Sequence, residues 1–326
     1  MRKPIDTNMP APLFRCALRL ALLVVAMLGS AARAEMAVYQ AQVPLPAEAG
    51  ADRTAALGEA LKVAAVRASG RADAANSPKI EAAAASPAAY VQQYSTTPDR
   101  MLKVGFDARA MDSLLLQAGL PLWPAERPTV TVYLYRAGDG AQPLTAADRS
   151  PERIEAERAA QARGVPIAWP IEAVDVATAR ARSGGNMATL VGAAAGGGYD
   201  WSFAHAGQTT RGQGSVTQGV GFAADELARR YATPATGSVA KFGLRIGGLN
   251  GVRDYAALTQ YLEGLSLVRD VAVRELGRDA ALVDLAVRGD RQLLARIFAL
   301  DGRIVPAPAA SGADSAAAVD FVWQTP

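Results

Sequence analysis

Few residues of this chain have the types and spacing that catalysis requires. His205 is the only histidine, and it stands in an alternating segment beside Trp201 and Phe203. A metal site needs further ligands at suitable spacing, and none accompanies this histidine. The sequence also lacks a Gly-x-Ser-x-Gly elbow, so a Ser-His-Asp hydrolase has little support. We therefore expect no catalytic residue, no metal and no cofactor.

The acidic residues and the glycine clusters favour structural roles. Asp52, Asp107 and Asp290 precede helical segments, where a carboxylate accepts hydrogen bonds from unpaired amide groups. The cluster Gly196–Gly198 lacks the Lys-Ser/Thr pair of a phosphate loop and predicts a tight turn. A pair of carboxylates that converges only in the folded chain cannot be recognised from spacing. An envelope hydrolase acting on peptidoglycan or glycan therefore stays an alternative.

Aromatic residues are the best candidates for binding a partner. Trp123 and Trp169 lie beside prolines at the ends of predicted elements, where core packing and partner contacts both occur. Two tyrosines lie opposite the apolar stripe of a predicted strand, so they are either covered by helices or part of an interaction surface. The candidate binding residues are Trp123, Tyr133, Tyr135, Trp169 and Trp201.

The first 34 residues have the order of a cleavable signal peptide. Arg2 and Lys3 begin a basic region, Ala21–Leu28 is an apolar run too short to span a bilayer, and Ala32–Ala34 is a small-x-small cleavage site. An uncleaved membrane anchor is the alternative. Cleavage after Ala34 places the mature chain outside the cytoplasm, in a bacterial periplasm, with no transmembrane segment.

Removal of this leader changes the charge and the cysteine content. The whole chain has 34 basic and 31 acidic residues, a net charge of +3. The leader holds five of the basic residues and one acidic residue, so the mature chain has 29 and 30 and a net charge of −1. This balance gives no reason to expect nucleic acid as a partner. The only cysteine, Cys16, also lies in the leader, so the mature chain has no disulfide.

Periodicity predicts a mixed α+β and α/β chain of two or three small sheet-plus-helix domains. The clearest strand is Thr129–Tyr135, and a helix over Ser150–Arg163 followed by a short strand predicts a parallel pair. We also expect a strand at Ser215–Gly219 before a helix at Ala223–Tyr231.

The predicted boundaries follow proline-rich and small-residue stretches. The last folded unit has the βαββα order of a ferredoxin-like domain. The tail after it has too little apolar bulk to fold. The expected segments are a signal peptide over 1–34, an N-terminal α/β unit over 35–125, a middle α/β unit over 126–235, a ferredoxin-like unit over 236–305 and a disordered tail over 306–326.

Several stretches resemble a family of exported proteobacterial proteins, domain of unknown function 2066. They include VYQAQVPLP, AAYVQQY, Phe106-Asp107 and the segment GLPLW at 119–123, and the resemblance covers about residues 36–232. It implies an exported protein with no catalytic residues to carry over. The middle unit is also similar, at the level of fold, to the N-terminal domain of the periplasmic translocation protein TolB, in a helix ending at Arg163-Gly164-Val165 and later strands.

These features together predict a non-enzymatic periplasmic protein that acts as a binding or assembly module for an envelope protein. Docking would use a sheet edge or an aromatic-lined cleft. A small-ligand-binding protein, with a pocket between domains, is a second alternative to the hydrolase. The sequence does not determine the partner or the oligomeric state.

The cleavage site makes the first testable prediction. We expect the mature protein, purified from the periplasm of a producing bacterium, to begin at Glu35, because the Ala-x-Ala box directs the signal peptidase to the bond after Ala34. N-terminal sequencing and intact mass check this. A membrane-bound protein that keeps residues 1–34 would instead identify an uncleaved anchor.

Overall fold

The computed structural model describes residues 38–45, 53–138, 142–182, 187–308 and 319–324. The predicted signal peptide over 1–34, the helix cap at Asp52 and the paired glycines Gly184 and Gly185 lie outside these residues. Within them the protein has eight α-helices and three sheets, one antiparallel and two mixed, none of them a closed barrel, which confirms the predicted fold class. No helix in these ranges is long and apolar enough to cross a membrane.

The first unit, residues 38–121, packs helices on one face of a small antiparallel sheet. Its strands are β1 (Gln40–Pro44), β2 (Val91–Thr96) and β3 (Met101–Phe106), in the order β1-β3-β2. Its helices are α1 (Arg53–Ser69), α2 (Pro78–Ala85) and α3 (Ala108–Gln117). The predictions from periodicity omitted β2, because five of its six residues are exposed and it carries no apolar alternation.

The middle unit, residues 128–231, contains a five-stranded sheet. Its elements are β4 (Val130–Tyr135), α4 (Pro151–Arg163), β5 (Ile167–Ala168), α5 (Val176–Arg182), β6 (Ala188–Ala195), β7 (Gly198–His205), β8 (Gln208–Gly214) and α6 (Val216–Tyr231). The strand order is β5-β4-β6-β7-β8. The predicted crossover is confirmed, because β4 runs parallel to β5 and pairs Val130 with Ile167.

The strand expected at Ser215–Gly219 was wrong, since these residues begin α6. The Ser215 side chain accepts a hydrogen bond from the Gln218 amide, while the Gln218 side chain accepts from the Ser215 amide. This reciprocal capping box satisfies two amide groups that would be unpaired at the first turn of a helix. The expected helix at Ala223–Tyr231 is therefore the second half of a longer one.

The third unit, residues 239–324, has the predicted βαββα order and an additional pair of strands. Its elements are β9 (Val239–Gly247), α7 (Val252–Glu263), β10 (Val268–Leu276), β11 (Ala280–Arg288), α8 (Arg291–Asp301), β12 (Ile304–Pro306) and β13 (Phe321–Trp323). The strand order is β10-β11-β9-β13-β12, with β13 parallel to β9. The buried apolar residues of this unit are continuous with those of the middle unit.

Part of the tail expected to be disordered over 306–326 is ordered, because Phe321–Trp323 form β13. Phe321 and Trp323 are buried, and the Phe321 ring meets that of Phe298 edge to face at 5.4 Å. The Ala- and Ser-rich composition of the whole tail concealed these two large aromatic side chains. A three-residue strand is enough here because β9 offers an open sheet edge and a core to cover.

The buried end of the tail generates the second prediction. We expect Phe321→Ala to lower the free energy of unfolding by about 3 kcal/mol, because it removes a buried aromatic ring and leaves a cavity. Urea unfolding of the mature protein measures this. The matched variant Gln324→Ala, at an exposed position of the same tail, is expected to change stability by less than about 0.5 kcal/mol. Equal stability of the two variants would contradict the placement of β13.

Candidate functional site

A short segment, residues 122–127, connects the three units and is called the junction here. Leu122 exchanges backbone hydrogen bonds with Thr233, which follows the middle unit. The Trp123 amide donates to the Ala68 carbonyl of α1 at 2.7 Å. The Ala125 amide donates to the Ser266 hydroxyl of the third unit at 2.9 Å. The proline-rich stretch is therefore a packed connection and not an open linker.

The side chains of the junction continue these contacts. The Arg127 guanidinium donates to four backbone carbonyls, including Arg67 in the first unit at 2.7 Å and Gly164 in the middle unit at 2.6 Å. It also stacks on the Trp123 ring, 3.8 Å from the ring centre. The Glu126 carboxylate accepts from the amide and the hydroxyl of Ser266 in the third unit. Two adjacent charged residues therefore hold all three units together.

A cleft of about 490 Å³ lies between the first and third units beside the junction. We call it the Asp112 cleft. Its polar lining comes from both units, and its apolar lining comes mainly from the first unit and the junction. The lining residues that matter for binding are Tyr39, Gln92, Phe106, Arg109, Asp112, Trp123, Ser266, Arg269 and Arg288.

Asp112, on α3, is the centre of a hydrogen-bond network that crosses this cleft. Its Oδ1 accepts from the Tyr39 hydroxyl. Its Oδ2 accepts from Arg269 on β10 at 2.8 Å and from Arg288 on β11 at 2.9 Å. Burial raises the pKa of Tyr39, and the negative charge of Asp112 raises it further, so this tyrosine stays a hydrogen-bond donor. The network pairs one carboxylate with two guanidinium groups from another unit.

The rim of the cleft carries one arginine without a partner among the described residues and one partly exposed arginine that contacts Asp112. Arg109 and Gln92 are exposed, and Arg109 has no hydrogen-bond or ion-pair partner among the described residues. The Arg269 side chain is 35% exposed although it contacts Asp112. In the wall, the buried Trp123 indole nitrogen has no hydrogen-bond acceptor within the described part of the chain. The cleft therefore combines apolar walls with cationic groups and unused donors.

The two carboxylates of the cleft already have structural partners. Asp107 caps α3 by accepting from the Ala110 amide at 2.8 Å. Asp112 accepts from three donors. Both oxygens of Asp112 and one oxygen of Asp107 are engaged by these donors, so the geometry suits binding better than general acid–base chemistry. Across the described ranges, no three His, Cys, Asp or Glu side chains form a group that could hold a metal ion.

The five aromatic residues expected to form a binding surface do not lie together. Trp123, Tyr135 and Trp201 are buried, and Tyr133 and Trp169 are partly buried. Trp123 alone among them lines the Asp112 cleft. The other four belong to the middle unit, where they are buried or partly buried, so the structure does not bring the five candidates to one surface.

Local contacts explain where the other four rings lie. Trp201 occupies a slot made by Gly192 and Gly219, where a Cβ atom would come within 2.3 and 2.0 Å of its ring. The Tyr135 hydroxyl donates to the Val174 carbonyl at 2.8 Å, and Tyr133 packs in the same small cluster. The Trp169 indole donates to Glu157 at 3.1 Å. Helices and loops of the middle unit therefore cover the face opposite the apolar stripe of β4.

The residues that build the cleft were not found from the sequence. Asp112 is separated in sequence by 73 positions from Tyr39, 157 from Arg269 and 176 from Arg288. No local pattern distinguishes an arginine that crosses between units from one that faces solvent. The one indication of this site in the sequence is the position of Asp112 among the apolar residues of the amphipathic α3.

Comparison with known proteins adds one match. Residues 32–124 match the family model described as a domain of unknown function (DUF8605). This match supports an uncharacterised domain but corrects the resemblance to domain of unknown function 2066 and to TolB. Short motifs such as a glycine after a helix or a proline after a strand report local structure, so they recur in unrelated chains. No curated protein and no solved structure matches the chain.

The Asp112 network generates the third prediction. We expect Asp112→Asn to lower the free energy of unfolding by about 2 to 3 kcal/mol, because it leaves two guanidinium groups without a counter-charge between the units. Chemical denaturation measures the change. The control Asp279→Asn, in the exposed β10–β11 turn, is expected to stay within about 0.5 kcal/mol of the parent. A neutral effect of Asp112→Asn would show that the network does not hold the units.

Proposed function

We propose that this chain is an exported, non-enzymatic protein of the bacterial cell envelope that acts as a binding or assembly module in the periplasm. Its binding site is the Asp112 cleft. The observation that carries this proposal is the lining of that cleft, where tyrosine, tryptophan and arginine side chains from two units converge. These three residue types dominate the energetics of protein interfaces.

The rigidity of the cleft supports a binding role. The junction contacts the first unit through Trp123, the middle unit through Arg127 and the third unit through Glu126. The two walls of the cleft are further connected by the Asp112 network. A site whose walls are already in place spends little conformational entropy when a partner enters.

Charge indicates what the partner contributes. Three arginines line the cleft against two carboxylates, and both carboxylates are engaged in hydrogen bonds within the protein. Arg109 on the rim has no such contact among the described residues. We therefore propose that the occupant is a short segment of an envelope protein that carries an acidic side chain or a terminal carboxylate beside an apolar residue.

A small-ligand-binding protein is the second candidate, because the volume of the cleft, about 490 Å³, is also typical of small-molecule sites. A hydrolase acting through carboxylates has weaker support, since Asp107 caps a helix and Asp112 is held by three donors.

In-cell photo-cross-linking tests the proposed function. A photoreactive residue at Gln92, on the exposed rim, is expected to capture one dominant envelope protein. Adding Arg109→Glu is expected to reduce this capture about tenfold or more, because it places a like charge opposite the acidic partner. Arg278→Glu is the matched control, since this exposed arginine lies in the β10–β11 turn outside the cleft lining.

The two variants separate the possible results. Loss of capture with Arg109→Glu and retention with Arg278→Glu supports the cleft and identifies the partner. Equal capture by both variants would place the partner elsewhere on the surface. Absence of any capture from Gln92, together with a rise in melting temperature on addition of a metabolite, would favour the small-ligand alternative.

A further inference from the structure

A second cleft, of about 450 Å³, lies between β1 and the segment that connects α4 to β5. We call it the Arg67 cleft. It shares Val38 and Ala125 with the lining of the Asp112 cleft but none of the charged residues. Its charged lining consists of Arg67, Lys103 and Arg127, and no acidic residue lines it in the described part of the chain. Three glutamines supply further uncharged polar groups: Gln40, Gln42 and Gln161.

Arg67 has one unused hydrogen-bond donor although the residue is only 8% exposed. Its Nη1 donates to the Gln40 carbonyl of β1. Its Nε is buried and has no acceptor among the described residues. A guanidinium carries five N–H donors, and a buried donor without an acceptor destabilises the folded state. Arg67 is therefore the group in this cleft that a ligand would satisfy.

Arg127 adds a buried positive charge that no carboxylate of the described residues contacts. Its hydrogen bonds all go to backbone carbonyls, so its donors are satisfied while its charge is not. The nearby Glu126 directs both carboxylate oxygens to Ser266. Burial lowers the pKa of Arg67 and of Arg127, and the charge of Arg67 lowers the pKa of Arg127 further. Two adjacent desolvated cations without a contacting counter-ion destabilise the folded state.

The open edge of β1 completes the cleft. β1 is an edge strand, and its register with β3 pairs Gln40 with Gly105 and Gln42 with Lys103. The Tyr39 carbonyl accepts a hydrogen bond from the Phe106 amide of β3. Because backbone groups alternate in direction along a strand, Gln40 and Gln42 direct theirs away from β3. The contact from Arg67 to the Gln40 carbonyl lies on that same side. The Gln42 amide is therefore a further donor at this edge.

We propose that the Arg67 cleft binds a small oxyanion of the phosphate or carboxylate type, held by Arg67 and Lys103 next to the charge of Arg127. The planar fork of Arg67 matches two oxygens of such a group, and Lys103 adds a point charge from the exposed face of β3. The anion would supply the counter-charge that the two buried arginines lack. This site is independent of the Asp112 cleft and of the proposed protein partner.

Thermal unfolding of the mature full chain tests this site. Inorganic phosphate and acetate are titrated in separate arms, each against sodium chloride at equal ionic strength. We expect a saturable rise in melting temperature with at least one of the two anions, because an anion that binds only the folded state stabilises it. The arm that responds distinguishes a phosphate-type from a carboxylate-type ligand. A response no larger than that of chloride in both arms overturns the proposal.

A pair of lysine variants locates the anion. Lys103→Gln removes an exposed charge from the cleft and is expected to weaken the anion response roughly fivefold without changing the fold. Lys79→Gln, at an exposed position of α2 outside the cleft, is the matched control and is expected to respond as the parent does. Equal responses of the two variants would place the anion elsewhere and overturn the assignment. Failure of the cross-linking from Gln92 would leave this result unaffected.

Discussion

The guanidinium of Arg127 donates hydrogen bonds to carbonyls of the first unit, the middle unit and the junction itself. Only arginine offers enough donors in a rigid planar array to reach all of them at once, so lysine would not replace it. The contact is costly because the charge is desolvated, and burial keeps the pKa of Arg127 well below its usual range. The relative placement of the first two units depends on this residue and on its stacking against Trp123.

Both clefts follow from the same placement. The Glu126 carboxylate holds Ser266, and this contact brings the third unit toward α3. Arg269 and Arg288 then reach Asp112 from the far wall of the Asp112 cleft. On the Arg67 cleft, the same junction brings Arg127 beside Arg67 and leaves two positive charges together. The junction thus positions both clefts. In the Asp112 cleft a carboxylate pairs with two arginines, and in the Arg67 cleft the cations contact no carboxylate of the described residues.

Much of the fold was predictable because local rules decided it. Alternating apolar residues predicted β4. The helix α4, which crosses over between β4 and β5, predicted that these two strands run parallel. Where burial did not mark one face, prediction failed: β2 is almost entirely exposed, and the residues predicted as a strand over 215–219 begin α6 with a capping box. The tail failed for another reason, since β13 forms only because β9 leaves an edge uncovered.

The candidate site was far less predictable than the fold. Three of the five aromatic candidates are buried, and Trp201 is buried because Gly192 and Gly219 make room for its ring. By itself, the sequence determined the α+β class, most helices and strands and the βαββα order of the last unit, since these depend on periodicity and capping within a few residues. Only the tertiary structure decided which charges meet. Asp112, Arg269 and Arg288 are distant in the chain, and their contact depends on how three units pack against one junction.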